Sequence, residues 1–179
     1  MVYVFLADGF EEIEALTPID MLKRAGIPVT SVSINKDETV IGAHGIKVIA
    51  DQTIDNTSIE DIDMVVLPGG LPGADNLREN QKVQMFIDKA NEQNKYICAI
   101  CAAPRILGEK GLLDGKKATC YPGFEKYLKG ADLSQSGCVV DGNFITAMGM
   151  GKSIDFSAAL ITALKDADTA DKIKKAIFA

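Results

Sequence analysis

The 179-residue chain is 47% hydrophobic and 25% charged, a composition that argues against disorder and allows a sizeable core, so we expect one domain over residues 1–179. Its formal net charge is −6 and its pI about 4.8, with no Lys/Arg-rich block, which disfavours non-specific binding to nucleic acid or to anionic membranes. Small molecules or proteins are therefore the expected partners.

Targeting and disulfide signals are both weak. Residues 1–8 contain no basic region, and their apolar run is too short for a signal peptide. No stretch reaches membrane-span length, so we expect a cytoplasmic protein. Four cysteines are too few for a disulfide scaffold in a chain of this length, and in a reducing compartment each should be a free thiol.

Short apolar runs rich in β-branched residues alternate with longer helix-patterned segments, which is typical of βαβ units and a parallel sheet. In chain order we predict a strand at 2–6, a helix at 11–25, a strand at 28–34, a hairpin at 38–50, a strand at 64–67, a helix at 81–93, a strand at 96–100 and a helix at 101–110. Beyond residue 111 we predict a strand at 117–120, a helix at 123–129, a hairpin at 138–147 and helices at 152–165 and 169–178. The expected architecture is α/β, a three-layer sandwich with helices on both faces of a mostly parallel sheet and ligand sites at the carboxyl ends of its strands.

Cys101 stands where the strand at 96–100 runs directly into the next predicted helix, with no polar loop between them. A turn this sharp is typical of a nucleophile elbow, which exposes the residue at its tip and needs small residues two positions to either side, here Ala99 and Ala103. At a helix N-terminus, unpaired N–H groups should lower the pKa of the thiol and could bind an oxyanion. We therefore predict that Cys101 is a nucleophile. The alternative is a small buried hydrophobic residue, as free cysteines usually are.

The other cysteines offer two weaker alternatives. Cys98 and Cys101 form a Cys-x-x-Cys pair of the kind found in thiol redox proteins, but Cys98 lies inside a predicted strand, where its side chain should pack within the sheet. Cys120 and Cys138 stand alone, so no second pair completes a zinc site, and we predict no metal.

A cysteine nucleophile needs a proton partner, and the chain offers one histidine and a group of carboxylates. His44 lies in the predicted hairpin and would reach Cys101 only if that hairpin folded back over the turn. Glu11, Glu12 and Glu14 open the first helix, and in a doubly wound sheet the first and fourth parallel strands can be neighbours, which would bring one carboxylate to the sulfur. We expect Glu11 and Glu12 on a solvated first turn. A buried Glu14 beside a thiolate would be protonated and could donate a hydrogen bond to sulfur.

A Pro-Gly-Gly turn that contains Gly69 and Gly70 follows the strand at 64–67. Adjacent glycines let backbone N–H groups approach a ligand closely, although the same tripeptide is also an ordinary turn sequence. The functional prediction is an oxyanion hole in this backbone, with the N–H groups of Gly70 and Ala102 aimed at the charge that forms when Cys101 attacks a carbonyl.

Further motifs surround these residues over nearly the whole chain. They are Ala7-Asp8-Gly9-Phe10-Glu11-Glu12-Ile13-Glu14, Pro18-Ile19-Asp20, Arg24-Ala25-Gly26, Leu67-Pro68-Gly69-Gly70 with Gly73 and Asn76-Leu77, Ala99-Ile100-Cys101-Ala102-Ala103-Pro104, and Gly149-Met150-Gly151. Together they are highly specific, although each alone is weak. With them the sequence resembles the ThiJ/PfpI superfamily, in its DJ-one branch of parkinsonism-associated protein deglycases and their bacterial relatives.

The resemblance implies a flavodoxin-like fold of the class I glutamine amidotransferase type, a homodimer without a cofactor, a reactive Cys101 and a protonated Glu14 in contact with it. The residues that it places at the border of the pocket or of the dimer are Arg24, His44, Tyr121 and Met150. In relatives the hairpin residue comes from the partner subunit and is often arginine, whereas this chain has His44.

Two departures from the family pattern concern histidine. Some relatives have a histidine near the elbow where this chain has Tyr121, which removes the usual candidate for a Cys–His pair. The protease branch has a histidine directly after the cysteine, where this chain has Ala102. The resemblance therefore disfavours peptidase activity.

Members of this branch are credited with cofactor-free conversion of glyoxal and methylglyoxal to hydroxy acids, repair of early glycation adducts, chaperone activity and oxidative-stress sensing. We predict a glyoxalase or deglycase, in which Cys101 adds to an aldehyde and Glu14 moves the proton. One alternative is a redox-sensing, chaperone-like protein that uses oxidation of Cys101. A cysteine peptidase or amidase is less favoured.

Overall fold

The computed structural model describes all residues, 1–179. The strands are β1 (Val2–Leu6), β2 (Val29–Ser33), β3 (Thr39–Ile41), β4 (Lys47–Ile49), β5 (Gln52–Thr53), β6 (Met64–Leu67), β7 (Tyr96–Ile100), β8 (Lys117–Ala118), β9 (Asp132–Leu133), β10 (Cys138–Asp141) and β11 (Phe144–Ala147). The helices are α1 (Glu12–Arg24), α2 (Gly73–Glu79), α3 (Gln81–Glu92), α4 (Pro104–Glu109), α5 (Ser153–Leu164) and α6 (Ala167–Ala176), with short 3₁₀ turns at Ile54–Asn56, Glu125–Tyr127 and Met150–Lys152.

Seven strands form the central sheet in the order β10-β11-β7-β6-β1-β2-β5. All neighbouring pairs are parallel except β10 and β11, which form an antiparallel hairpin at one edge. The predicted α/β architecture with a mostly parallel sheet is thus confirmed. Because β1, β6 and β7 are parallel neighbours in the middle of the sheet, their carboxyl ends open on the same edge.

The central strands are buried on both faces, which explains why they read as continuous apolar runs rather than as alternating patterns. In β1 every residue is buried. Tyr3 and Phe5 pack on one face, where the ring of Phe86 from α3 stands edge-on 5.1 Å from that of Phe5. Val4 and Leu6 pack on the other face, against α1 and α5.

Several local expectations differ from the structure, among them the strand predicted at 117–120, which is only Lys117–Ala118. α2 was not predicted, because the proline and glycines around its start resemble an extended turn. α4 begins at Pro104 rather than at 101, since Cys101 has φ +64°, a left-handed conformation that cannot continue a helix. The predicted helix at 123–129 is only the 3₁₀ turn Glu125–Tyr127.

The expected adjacency of the first and fourth parallel strands is also wrong. β6 lies between β1 and β7 and pairs with both. Any contact between the start of α1 and the end of β7 must therefore pass over the end of β6. The Pro-Gly-Gly turn, which follows β6, therefore lies between the loop after β1 and the turn after β7.

No helix in this structure is both long enough and apolar enough to span a bilayer.

Candidate active site

Cys101 lies at the tip of the turn that joins β7 to α4. Its positive φ is uncommon for a residue with a side chain and is held in place on both sides. The N–H of Cys101 donates to the carbonyl of Ala147, and its own carbonyl accepts a 2.8 Å hydrogen bond from the N–H of Tyr121. Ala99 and Ala103 are completely buried, as the small positions around a nucleophile elbow require.

Glu14 is buried beneath this turn and contacts the cysteine. Its side chain is 1% exposed and hydrogen-bonds the thiol of Cys101. Oε2 of Glu14 accepts a 2.9 Å hydrogen bond from the N–H of Gly69, and the N–H of Met150 also donates to the carboxyl group. α1 therefore reaches over the end of β6 to place a carboxyl group at the elbow.

Gly69 is the residue that makes room for this contact. A Cβ at this position would lie 2.6 Å from the Cβ of Cys101 and 2.6 Å from Oε2 of Glu14, closer than real Cβ atoms approach other heavy atoms. The N–H of Gly69 is already bonded to Glu14, so it is not free to bind an oxyanion. The expectation that Gly69 belongs to the oxyanion-binding backbone is therefore replaced by a role in positioning Glu14.

Two other backbone N–H groups point at the sulfur. Those of Gly70 and Ala102 both hydrogen-bond the Cys101 side chain, and both act to lower its pKa. Gly70 has φ +84°, a conformation that glycine adopts without strain. From the sequence we expect the same two N–H groups to form an oxyanion hole, which stays a prediction.

The two acidic groups are strongly coupled. Burial raises the pKa of Glu14 to about 7, in the direction expected from the sequence. Burial and the neighbouring Glu14 carboxylate raise the pKa of Cys101 to about 12, against the expectation of a lowered value. That expectation is wrong because α4 begins three residues later and is only six residues long, so its dipole does not outweigh burial. The pair is thus uncharged well below pH 7 and carries a single negative charge, on Glu14, between about pH 7 and 12.

The predicted border residues lie in different environments. Arg24 is exposed, and its Nε donates to Asp20 at 2.6 Å, so the guanidinium is held on the surface of α1. Tyr121 is half-exposed beside Gly149, where a Cβ would lie 3.4 Å from the tyrosine ring. The side chain of Met150 is exposed while its N–H faces Glu14, a backbone contact that the sequence did not reveal.

His44 binds the first turn of α1 rather than Cys101. Its N–H and its Nδ1 each lie 2.8 Å from a carboxylate oxygen of Glu12, which is buried. Burial alone would raise the pKa of Glu12, but the hydrogen bonds from His44 lower it overall, and the bond to Glu12 raises the pKa of His44. The expectation of a solvated Glu12 is wrong, since this residue fastens the β3–β4 hairpin to α1. Glu11, whose Oε2 lies 3.6 Å from the imidazole, completes a cluster of three potential metal ligands.

The remaining cysteines do not join the site. Cys98 is fully buried in β7, and burial raises its pKa well above the ordinary value. Cys120 is buried and Cys138 half-buried, and all four cysteines are free thiols. Among them only Cys101 combines partial exposure with a hydrogen-bonded carboxyl group.

The sequence model of the DJ-1/PfpI family matches residues 1–163, and the chain belongs to this family. DJ-1 homolog B of Arabidopsis thaliana is 38% identical over 91% of the chain, and a deglycase of Pyrococcus horikoshii is 35% identical over 79% of the chain and 85% of its own length. The oxidised DJ-1 of Toxoplasma gondii superimposes with a TM-score of 0.95 at 34% identity, with 99% of this chain and 97% of that one covered. The chain spans less than half the length of Arabidopsis DJ-1 homologs B and A, 38% and 45%.

The raised pKa of Glu14 predicts a pH-dependent stability. Because the folded-state pKa of about 7 lies above the ordinary glutamate pKa of about 4.5, folding binds a proton between these values, and stability falls as pH rises through this window. We expect the free energy of unfolding of the wild type, relative to Glu14→Gln, to fall by about 3 kcal/mol between about pH 4.5 and 7 and then to level off. Denaturant unfolding of both proteins at a series of pH values measures this difference, and a difference independent of pH would contradict a buried, titrating Glu14.

Proposed function

We propose that the protein is a cofactor-independent glyoxalase or deglycase that acts on methylglyoxal, on glyoxal or on early glycation adducts. The observation that carries the proposal is the hydrogen-bonded pair of Cys101 and buried Glu14, with the N–H groups of Gly70 and Ala102 on the sulfur. The 35% identical relative from Pyrococcus horikoshii, which bears the name deglycase, supports the same chemistry.

The pair supplies both the nucleophile and its base. With a pKa near 7, Glu14 is partly ionised at neutral pH and can accept the thiol proton as Cys101 sulfur attacks. Such a concerted transfer avoids a state in which Glu14 and Cys101 are both anions. That state is unfavourable, because burial and the charge of Glu14 raise the pKa of the Cys101 thiol to about 12. The raised thiol pKa therefore does not exclude a nucleophilic Cys101, because proton transfer and bond formation occur together.

For methylglyoxal the proposed steps balance without a cofactor. The sulfur of Cys101 bonds to the aldehyde carbon, and the oxygen, held by the N–H groups of Gly70 and Ala102, takes a proton from Glu14 to give a hemithioacetal. Glu14 removes the hydrogen from that carbon and delivers it as a proton to the ketone oxygen, which gives an enediol. Glu14 then takes the proton from the hydroxyl group on the first carbon and passes it to the adjacent carbon, which converts the adduct to a lactoyl thioester. Water then hydrolyses the thioester, which releases lactate and the thiol.

A redox-sensing role is the second candidate, because it would use the same sulfur. Cys101 is partly exposed, and Glu14 and two backbone N–H groups would hydrogen-bond the oxygen atoms of a sulfinic acid. The solved relative from Toxoplasma gondii is described as oxidised. Turnover of an aldehyde distinguishes the two functions, since a sensor needs no product.

The proposed enzyme predicts the behaviour of three variants with methylglyoxal and no added thiol. Cys101→Ala removes the nucleophile and should abolish lactate formation, while Glu14→Gln removes the base and should lower kcat by at least about 10²-fold. Cys138→Ala, which changes another half-buried thiol outside the pair, should retain wild-type turnover. Lactate is quantified directly as product. Unchanged turnover in Glu14→Gln, or no turnover in the wild type, would contradict the enzyme assignment.

We also propose that the protein forms a homodimer through the exposed apolar surface beside the β3–β4 hairpin. This surface consists of Ile13, Leu16, Met150 and Ile154, which are 36% to 52% exposed. A groove between α1 and the Met150–Lys152 turn runs through it. Contiguous exposed apolar residues of this kind mark protein interfaces, and a second copy of this chain is the partner that the family resemblance implies.

The dimer predicts a charge-sensitive association. Leu16→Glu places a carboxylate in the apolar surface and should convert the sedimentation coefficient from that of a dimer to that of a monomer at micromolar concentration. Met85→Glu changes a more exposed apolar residue, on α3, and should leave the dimer intact. A dimeric Leu16→Glu protein would place the interface elsewhere.

A further inference from the structure

We propose that Arg105 is a positioning residue that braces both walls of the Cys101 site against α4. The inference rests on the proposed role of Cys101 as a nucleophile. The supporting observation is that the side chain of Arg105, four residues after Cys101, contacts two segments. One is α2, which follows Gly70, and the other is the segment that follows Tyr121.

Arg105 is an unusually buried arginine, 8% exposed. Its guanidinium carbon lies 5.8 Å from the ring centre of Phe124 and 5.3 Å from that of Tyr127, within the range of cation–π attraction. One of its terminal nitrogens forms an ion pair with Asp75. The Nε of Arg105 is buried without a hydrogen-bond partner, so the residue is a costly choice for stability alone.

The first contact of Arg105, its ion pair with Asp75, acts on the backbone at Gly70, which is proposed to bind the oxyanion. Asp75 lies in α2, the helix that follows the Pro-Gly-Gly turn. The N–H of Ala74, next to Asp75, donates to the carbonyl of Gly70 at 2.9 Å, and the N–H of Gly70 points at the sulfur of Cys101. The ion pair between Asp75 and Arg105 therefore fixes the distance between α4 and Gly70, whose N–H donates to the sulfur of Cys101.

The second contact of Arg105 is with residues 121–127, the segment whose Tyr121 N–H bonds the turn at Cys101. The N–H of Phe124 donates to the carbonyl of Tyr121, and the N–H of Tyr121 donates to the carbonyl of Cys101. Gly108 lets α4 lie directly against this segment, since a Cβ there would lie 2.8 Å from the Cα of Leu128. The two aromatic contacts of Arg105 thus hold Tyr121 over the nucleophile.

Loss of the brace should weaken the hydrogen bond from Gly70 to the sulfur. That bond favours the thiolate, so its loss makes the thiolate less accessible at a given pH. The effect acts through Gly70, because Arg105 pairs with Asp75 and forms no hydrogen bond with Cys101. Arg105 is accordingly a positioning residue and not a catalytic one.

The test is the second-order rate of alkylation of Cys101 by iodoacetamide, followed by peptide mass analysis from pH 6 to 10. We expect Arg105→Met to react about tenfold more slowly at pH 8, equivalent to a displacement of the rate–pH profile by about one pH unit. Arg105→Lys keeps a positive charge beside Asp75 and should recover most of the wild-type rate. Asp75→Asn, which keeps the shape of the side chain, should slow the reaction in the same direction.

Lys126→Met is the matched control. The Nζ of Lys126 lies 5.0 Å from the ring centre of Tyr127, one of the two rings that Arg105 contacts, but Lys126 is exposed and does not pair with Asp75. It should keep the wild-type profile. Wild-type rates in Arg105→Met and Asp75→Asn, with only the melting temperature lowered, would overturn the proposal, and if Arg105→Met does not fold, Asp75→Asn decides. Alkylation of Cys101 requires no aldehyde turnover, so the two proposals can fail separately. If the wild type does not convert methylglyoxal but Arg105→Met still slows alkylation, the enzyme assignment is rejected and the positioning role of Arg105 stands.

Discussion

The hydrogen bond from the Gly69 N–H to Oε2 of Glu14, 2.9 Å long, connects the three central strands at their carboxyl edge. Gly69 follows β6, Glu14 belongs to the helix after β1, and Cys101 follows β7. Without a Cβ at Gly69, the carboxyl group and the cysteine can meet over the end of the middle strand. Burial of Glu14 at this point raises its pKa, and burial together with the charge of Glu14 raises the pKa of Cys101. The chemistry of the site thus follows from a single close approach of backbone and side chain.

The regular elements of the centre could be predicted from the sequence because their signal is local. The bounds of β1, β6 and β7 match the prediction to the residue, since each strand is an apolar run ended by a loop or turn. The small residues on either side of Cys101 likewise predict the elbow. Each of these inferences needs only a few consecutive residues.

The features that were missed depend on contacts between distant segments. Strand order places β6 between β1 and β7, which no local pattern specifies. Glu12 is buried because His44, 32 residues away, folds onto it. The direction of the thiol pKa depends on whether burial and Glu14 outweigh the backbone donors, a balance that only the packed structure decides. Arg105 gave no signal beyond being a charged residue within an apolar helix.

The site combines a rigid backbone with one mobile proton. Fixed N–H groups of Gly70 and Ala102 face the sulfur, and the proton shared by Glu14 and Cys101 can move to either group or to substrate. In the proposed glyoxalase reaction every step is a proton transfer, an addition to a carbonyl carbon or a hydrolysis, and the residues of the site would suffice for it. The alternative redox function would use the same sulfur and the same hydrogen bonds, so the protonation state of Glu14 matters to both proposals.

The most direct measurement is the carboxyl titration of Glu14, followed by ¹³C NMR of the protein labelled at glutamate side chains, with Glu14→Gln used to assign the signal. The account predicts a midpoint near pH 7 in the wild type. In Cys101→Ala the midpoint should stay well above the ordinary value, because burial is the largest cause of the shift. A midpoint at or below about 4.5 in the wild type would contradict a buried carboxyl group that exchanges a proton with Cys101 at neutral pH.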